Sequence, residues 1–209
     1  MVEYILGTPI FQAKMEEYDK ENLIQAVSNL VRDSSFNSSS HNPSFFGDIY
    51  SDIKQPHELD CFSDVNKFIA KQTRKYINKL GSENIPDVYV QKSWGVRLQK
   101  EGGVSPHKHV NAHLSCVFYI SVNKDEGAEL TFESEYDLFQ NLPINCESHI
   151  HKLKPEDGTL VIFPSNLLHY VSESFSEKDR YCVSYDLMIT SKEKLENKTL
   201  DPSQWRKLT

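Results

Sequence analysis

Apolar residues change their period once along this chain, near residue 87. Ahead of that point they follow helical spacing. Within residues 16–34, Leu23, Ile24, Val27, Leu30 and Val31 recur on one face, which predicts an amphipathic helix. A second stripe, Leu59, Phe62, Val65, Phe68, Ile69, Thr73, Tyr76 and Ile77, has basic residues opposite it and ends at Gly81, which predicts a helix from Glu58 to Leu80. The opening EYILGTPIFQAKM is β-rich around a Gly-Thr-Pro break, so a strand precedes the first helix. Residues 34–48, SSFNSSSHNPSFFGD, form a loop by composition.

From Asp87 to Thr190 the pattern becomes short β-type runs: VYVQKSWGVRLQ, HLSCVFYISV, AELTFES, SHIHKLK, TLVIFPS, LLHYVSES and RYCVSYDLMIT. KEGG, NKDEG, PEDG and SEKD punctuate them as turns. Many short strands at this spacing predict a mainly β fold, a jelly-roll with the preceding helices packed on one sheet. The expected organisation is one domain over residues 1–190, with a strand and helices in 1–86 and the jelly-roll core in 87–190, then a polar tail at 191–209. No internal repeat is visible.

Composition narrows the function classes. At 209 residues, with 25% charged, 38% hydrophobic and 11% aromatic residues, the chain is long enough for one sizeable core and has the make-up of a soluble globular protein. Lys+Arg number 23 against 30 Asp+Glu, a formal charge of −7, so no overall positive field gathers nucleic acid or an anionic membrane. Cys61, Cys116, Cys146 and Cys182 form no CxxC pair and read as reduced thiols. The N-terminus has no basic leader region and no apolar run approaches 18 residues, so a cytoplasmic protein is expected. The sequons at Asn37 and Asn197 then carry no meaning.

Three places carry candidate chemistry. His107 and His109 are two apart, and on an extended backbone both imidazoles share a face, as a metal-binding pair would. His169 follows the Phe163-Pro164 turn, and Arg180 opens the last strand. An HxH alone is weak evidence: it also describes polar residues at the mouth of a strand, and a second copy, His149 and His151, reads as a solvated strand face. Order raises the first copy above the second, because an HxH, a set of strands, a third His and then an Arg are rarely combined by chance. His113 reads as supporting or surface, Trp94 as core, and Arg97 as a solvated partner.

The stretches GTLVIFPSNLLH and HKHVNAH resemble the cupin pattern, in which an HxH and a later His hold a divalent metal. A closer resemblance is to bacterial and phage 2-oxoglutarate- and iron(II)-dependent oxygenases. Their opening strand with Thr-Pro, SW, HxH, LSGVYY, GxLxFP, SxLxH and terminal Arg read here as ILGTPIF, Ser93-Trp94, His107-Lys108-His109, LSCVFYI, DGTLVIFPS, SNLLHYV and DRYCVSY. The resemblance runs from about residue 4 to about residue 190. It implies a double-stranded β-helix, iron(II) held by His107, His109 and His169, and 2-oxoglutarate and O2 as cosubstrates. It further implies Arg180 as the fork that grips the far carboxylate of 2-oxoglutarate, with Cys182 and Ser184 on the same strand face and Tyr119 nearby as further cosubstrate contacts.

The chain departs from the pattern at three positions. His109 stands where the usual iron triad has Asp or Glu, so the third ligand is either this imidazole or a carboxylate such as Glu126 or Glu129. Cys116 replaces the glycine of LSG, and Val96 replaces an Asn after SW. The expected reaction is hydroxylation of a small molecule or of an amino-acid or protein side chain, with neither nucleic acid nor membrane as partner and a homodimer allowed. The competing reading is a cupin-like metal protein that does not use 2-oxoglutarate, acting as an isomerase, another dioxygenase or a sensor.

Overall fold

The computed structural model describes residues 7–33, 55–81, 87–134 and 150–190. The expected loop at 34–48, the tail at 191–209, Cys146 and His149 lie outside the described residues.

The first half is β1 (Phe11–Lys14), α1 (Lys20–Asp33), two single 3-10 turns at Pro56–Glu58 and Asp60–Phe62, and α2 (Ser63–Lys79). The expected helix start at Glu58 is therefore five residues early. A capping box, with the Gln55 backbone N–H donating to Glu58 Oε2 at 2.7 Å, and Pro56 at the first position favour a separate tight turn ahead of α2. The second half is β2 (Asp87–Leu98), β3 (Val104–His107), β4 (Leu114–Ser121), β5 (Leu130–Glu133), β6 (Ile150–Leu153), β7 (Thr159–Pro164), β8 (Leu168–Val171) and β9 (Arg180–Thr190). The short β3, in VSPH, has no hydrophobic alternation to announce it.

The strands form two antiparallel sheets, a larger one ordered β1-β7-β4-β9-β2 and a smaller one ordered β3-β8-β5-β6. This is the mainly β, double-stranded β-helix architecture expected from the run of short strands. The larger sheet has a core on each face. Leu114, Cys116, Phe118 and Ile120 of β4 pack outward against Leu23 and Val27 of α1 and Val65 and Ile69 of α2. Tyr119, offset by one, points inward and joins Trp94, Val96, Leu130, Phe132, Val161, Phe163 and Cys182 between the sheets. Cys116 thus occupies its site as a helix-facing core residue. Gly95 lets α1 approach closely, since a Cβ there would stand 3.0 Å from Val27 Cγ1.

One irregularity decides what β2 offers to the interior. Val88 and Val90 pack on the helix-facing side, yet Trp94 and Val96, at the same parity, belong to the interior cluster. The register with β9 shifts between Val90 and Lys92, and this bulge inserts one residue and inverts the alternation. Lys92 and Trp94 face inward for that reason. The strand beyond the bulge is pinned from outside, where the Ser93 backbone N–H donates to Gln55 Oε1 at 2.7 Å and the His57 backbone N–H donates to Ser93 Oγ at 3.1 Å.

No described helix is long and apolar enough to cross a membrane. Phe118 is fully buried between the rings of Tyr18 and Phe68, at 5.4 and 6.4 Å between centroids. Phe118→Ala is expected to lower the unfolding free energy by about 3–5 kcal/mol, read from urea denaturation. A loss under ~1 kcal/mol would mean the helices do not dock there.

Candidate metal centre

The register of the smaller sheet brings two distant histidines together. β3 pairs with β8 so that His107 stands opposite His169, and their rings lie 4.3 Å apart between centroids. The pairing is irregular between Val104 and His107, where Pro106 has no N–H for the ladder. His109 lies just past the end of β3, so the expected shared face of one strand holds only for His107. Its backbone is fixed differently: the His109 N–H donates to Ser165 O at 2.8 Å, and Ser165 donates its own N–H to His113 O at 3.2 Å and its hydroxyl to Ala112 O. The His109 ring stacks on Trp94, 5.3 Å between centroids and 20° between planes. The ligand-capable nitrogens of His107, His109 and His169 all lie within 4.8 Å of one another.

Each of these rings has one nitrogen occupied. Nδ1 of His107 meets Ser105 O at 2.8 Å, Nδ1 of His169 meets Leu167 O at 2.8 Å, and Nδ1 of His109 meets Asp186 Oδ1 at 2.7 Å. Carbonyl and carboxylate oxygens only accept, so the ring proton sits on Nδ1 and the lone pair on Nε2. His109 Nε2 is buried with no hydrogen-bond partner. Burial, reinforced by the like ring of His107, lowers the pKa of His169 to about 3, and burial lowers that of His107 as well. Neutral imidazoles at His107 and His169, with His109 beside them, fit a divalent cation, because metal ligands must be deprotonated and a divalent ion accepts several such lone pairs.

Behind His109 stands a residue that sequence reading missed. Asp186 is 1% exposed and faces Lys92 of β2 and Ser115 of β4 as its cross-strand neighbours. Ser115 Oγ donates to Asp186 Oδ1 at 2.7 Å, and Lys92 Nζ lies 3.2 Å from Oδ2. Burial opposes its charge, but the His109 and Ser115 hydrogen bonds and the Lys92 ammonium prevail and hold its pKa below the ordinary value. The signal was available: Arg180, Cys182 and Ser184 alternate along β9, and one more step of two reaches Asp186. Glu126 and Glu129 instead line a surface cleft on the far side of Arg180, which borders both that cleft and the histidine cavity, and Glu129 lies 3.6 Å from Lys154. Trp94, expected only as core, is core and also the surface on which His109 rests.

At the other end of the β9 ladder lies Arg180, 4% exposed. Its guanidinium sits 4.8 Å above the Tyr119 ring, and Nη1 donates to Ala128 O at 2.5 Å. Ala128 adopts φ 55°, a left-handed conformation that costs a non-glycine residue about 1 kcal/mol and here presents its carbonyl to the arginine. Arg180 Nε and the Tyr119 hydroxyl are both buried without hydrogen-bond partners. The acids that flank Arg180 in sequence are engaged elsewhere, Asp179 with Arg97 Nε at 2.6 Å and Glu177 with Lys100. Among the described residues no carboxylate pairs with this guanidinium, and a buried cation without an anion is costly, so the site suits an anionic ligand. Arg180, Cys182, Ser184 and Tyr119 line one cavity with the three histidines. Burial pushes the Cys182 thiol and the Tyr119 hydroxyl up, so both stay protonated.

The remaining histidines stand apart. His113 Nδ1 accepts from the Ile189 backbone N–H at 3.0 Å, and His151 is exposed on β6.

Residues 92–186, which hold all of these groups, match the family described as "Putative 2OG-Fe(II) oxygenase". This segment of the chain is therefore similar to the 2-oxoglutarate- and iron(II)-dependent oxygenases. The fold is similar to that of a Pseudomonas putida prolyl-4-hydroxylase, with TM-score 0.55 and 14% identity over 87% of this chain and 93% of that one. It is also similar to HygX from Streptomyces hygroscopicus with nickel, 2-oxoglutarate and hygromycin B bound, with TM-score 0.53 and 11% identity over 87% and 83% of the two chains. Against a 2OG-Fe(II) oxygenase family oxidoreductase from Burkholderia pseudomallei, the TM-score is 0.47 and the identity 12%, over 62% of this chain and 57% of the other, little more than half its length. No curated protein matches the sequence.

The buried histidines give the metal-free protein a defined acid sensitivity. The folded pKa of His169 lies below its unfolded value, so the unfolded chain takes up the proton first and stability falls with pH. The loss is expected to begin near pH 6.5 and continue toward pH 3, with Asp186 adding to it in the same direction below about pH 4. Thermal midpoints measured in chelator between pH 7.5 and 4 should drop more steeply for the wild type than for His169→Gln. Parallel curves would contradict the burial of His169 as a neutral group.

Proposed function

We propose that this protein is a 2-oxoglutarate- and iron(II)-dependent dioxygenase that hydroxylates its substrate, with His107, His109 and His169 as the iron ligands. The observation that carries the reading is one cavity that holds the converging ring nitrogens of three histidines and an arginine for which the described residues offer no carboxylate partner.

Iron(II) held there would activate O2, the oxidant, so that one oxygen atom enters a C–H bond of the substrate and the other enters 2-oxoglutarate, which leaves as succinate and CO2. The chain's own work is positional. Three protein ligands leave the other coordination positions open for cosubstrate and O2. The carbonyls of Ser105 and Leu167 and the Asp186 carboxylate hold each imidazole in the tautomer that offers Nε2. The Arg180 guanidinium, tied to Ala128 O through Nη1, keeps donors for the far carboxylate of 2-oxoglutarate, and the Tyr119 hydroxyl adds one more. Cys182 and Ser184, which line the cavity on the β9 side, would border the cosubstrate there. Trp94, Phe163 and Leu130 wall the cavity and exclude water.

The substrate is a small molecule or an amino-acid or protein side chain, and the acidic charge balance argues against nucleic acid. The unpaired thiols of Cys61, Cys116 and Cys182 suit a cytoplasmic setting.

Anaerobic titration with Fe(II) and 2-oxoglutarate tests the reading. A weak visible charge-transfer band is expected in the wild type and should be absent in His169→Ala. Arg180→Met should retain iron and bind 2-oxoglutarate at least roughly tenfold more weakly, as the loss of a charge-assisted bidentate contact implies. Iron binding without the band would favour the cupin-like reading.

A further inference from the structure

Among the described residues the metal centre has no carboxylate among its converging ligands, yet it keeps one a single imidazole away. Asp186 is buried, and all three of its partners are donors: His109 Nδ1 at 2.7 Å, Ser115 Oγ at 2.7 Å and Lys92 Nζ at 3.2 Å. The row is built by register, since Lys92, Asp186 and Ser115 are cross-strand neighbours on β2, β9 and β4. Lys92 is itself fixed, its ammonium 5.0 Å from the centre of the Trp94 ring on which His109 stacks.

The other two histidines show what this arrangement adds. His107 and His169 each rest on a neutral backbone carbonyl two residues earlier in the chain, a local contact that any strand of this shape offers. His109 alone is backed by a carboxylate, brought from 77 positions away. A charged acceptor makes the stronger bond to Nδ1–H, and the electron density it pushes into the ring raises the basicity of Nε2. It also fixes the ring against rotation about its own axis, which Trp94 stacking by itself permits.

We propose that Asp186 is a positioning residue for the metal centre, making His109 a carboxylate-backed imidazole and so the strongest donor of the three, with Lys92 and Ser115 holding the carboxylate in place. Asp186 restores through His109 the negative charge that a directly coordinating carboxylate would have contributed. The inference rests on the reading of His107, His109 and His169 as metal ligands.

Two measurements on the full chain test it, neither of which needs turnover. The first is long-range proton–nitrogen NMR of the histidine rings in the metal-free protein. Wild type should show His109 protonated at Nδ1 and bare at Nε2, and Asp186→Asn, whose side chain can offer its amide N–H to the ring, should shift His109 toward the opposite tautomer while His107 and His169 stay unchanged. The second is anaerobic Co(II) binding, followed by its visible absorption and by competition with a chelator. Asp186→Asn should bind Co(II) roughly 10- to 100-fold more weakly with a displaced absorption band, the cost typical of losing an outer partner to a metal-bound His.

Lys92→Met, which leaves the His109 contact in place, should shift the band in the same direction by less, and it serves if Asp186→Asn does not fold. Wild-type affinity and an unmoved band in Asp186→Asn or, where that variant is not folded, in Lys92→Met would overturn the proposal while leaving the metal site standing. Failure of wild type to bind Co(II), with the tautomer of His109 still set by Asp186, would overturn the metal reading and the proposed tuning with it.

Discussion

A strand shows a given face only every second side chain, and β9 uses its inward positions for Arg180, Cys182, Ser184 and Asp186. The backing of His109 and the placing of Arg180 in the cavity both depend on that alternation. The six steps from Arg180 to Asp186 span about 20 Å of strand, so one central element carries both the cation that suits an anionic ligand and the carboxylate that backs a histidine. Antiparallel pairing with β2 and β4 then decides the company each position keeps: Lys92 and Ser115 beside Asp186, Trp94 and Val117 beside Ser184, Val96 and Tyr119 beside Cys182.

The same rule makes the bulge in β2 indispensable. Without the shift between Val90 and Lys92, the residues that face α1 and α2 and those that face the cavity would exchange sides along the rest of the strand. Trp94 would then lie on the helix-facing side and Lys92 would leave Asp186. The bulge is held from outside by Gln55 and His57, residues of the first half of the chain that never touch the cavity. The N-terminal helices and the turn ahead of α2 thus act on the site indirectly, by stabilising the face of the sheet opposite to it.

The fold class and the strand sequence were legible because period-two runs bounded by Gly, Pro and Asp turns are a strong local signal, and so were the two helical stripes. Less legible were features that exist only after strands pair. β3 has no alternation of its own and is a strand because β8 lies beside it. The bulge is invisible in VYVQKSWGVRL, where nothing announces an extra residue. His107, His109, His169 and Arg180 stand out by residue type and order, but the company they keep does not: Asp186 is one polar residue in an apolar strand, and although Asp179 and Glu177 lie beside Arg180 in sequence, Arg97 and Lys100 hold them. Trp94 was read as core because an aromatic between a serine and a glycine on a strand carries no mark of what it stacks against.

The pairing of β3 with β8 rests on only two registered positions, Val104 with Val171 and His107 with His169, and it joins segments separated by most of the jelly-roll. Closing so long a loop costs chain entropy, and two strand contacts do little to offset it. An ion bound between His107 and His169 would therefore serve as a clasp as well as a reagent, favouring the closed sheet by mass action. The supply of metal to such a protein would set how long its smaller sheet stays shut, and with it how readily a protease could find that edge.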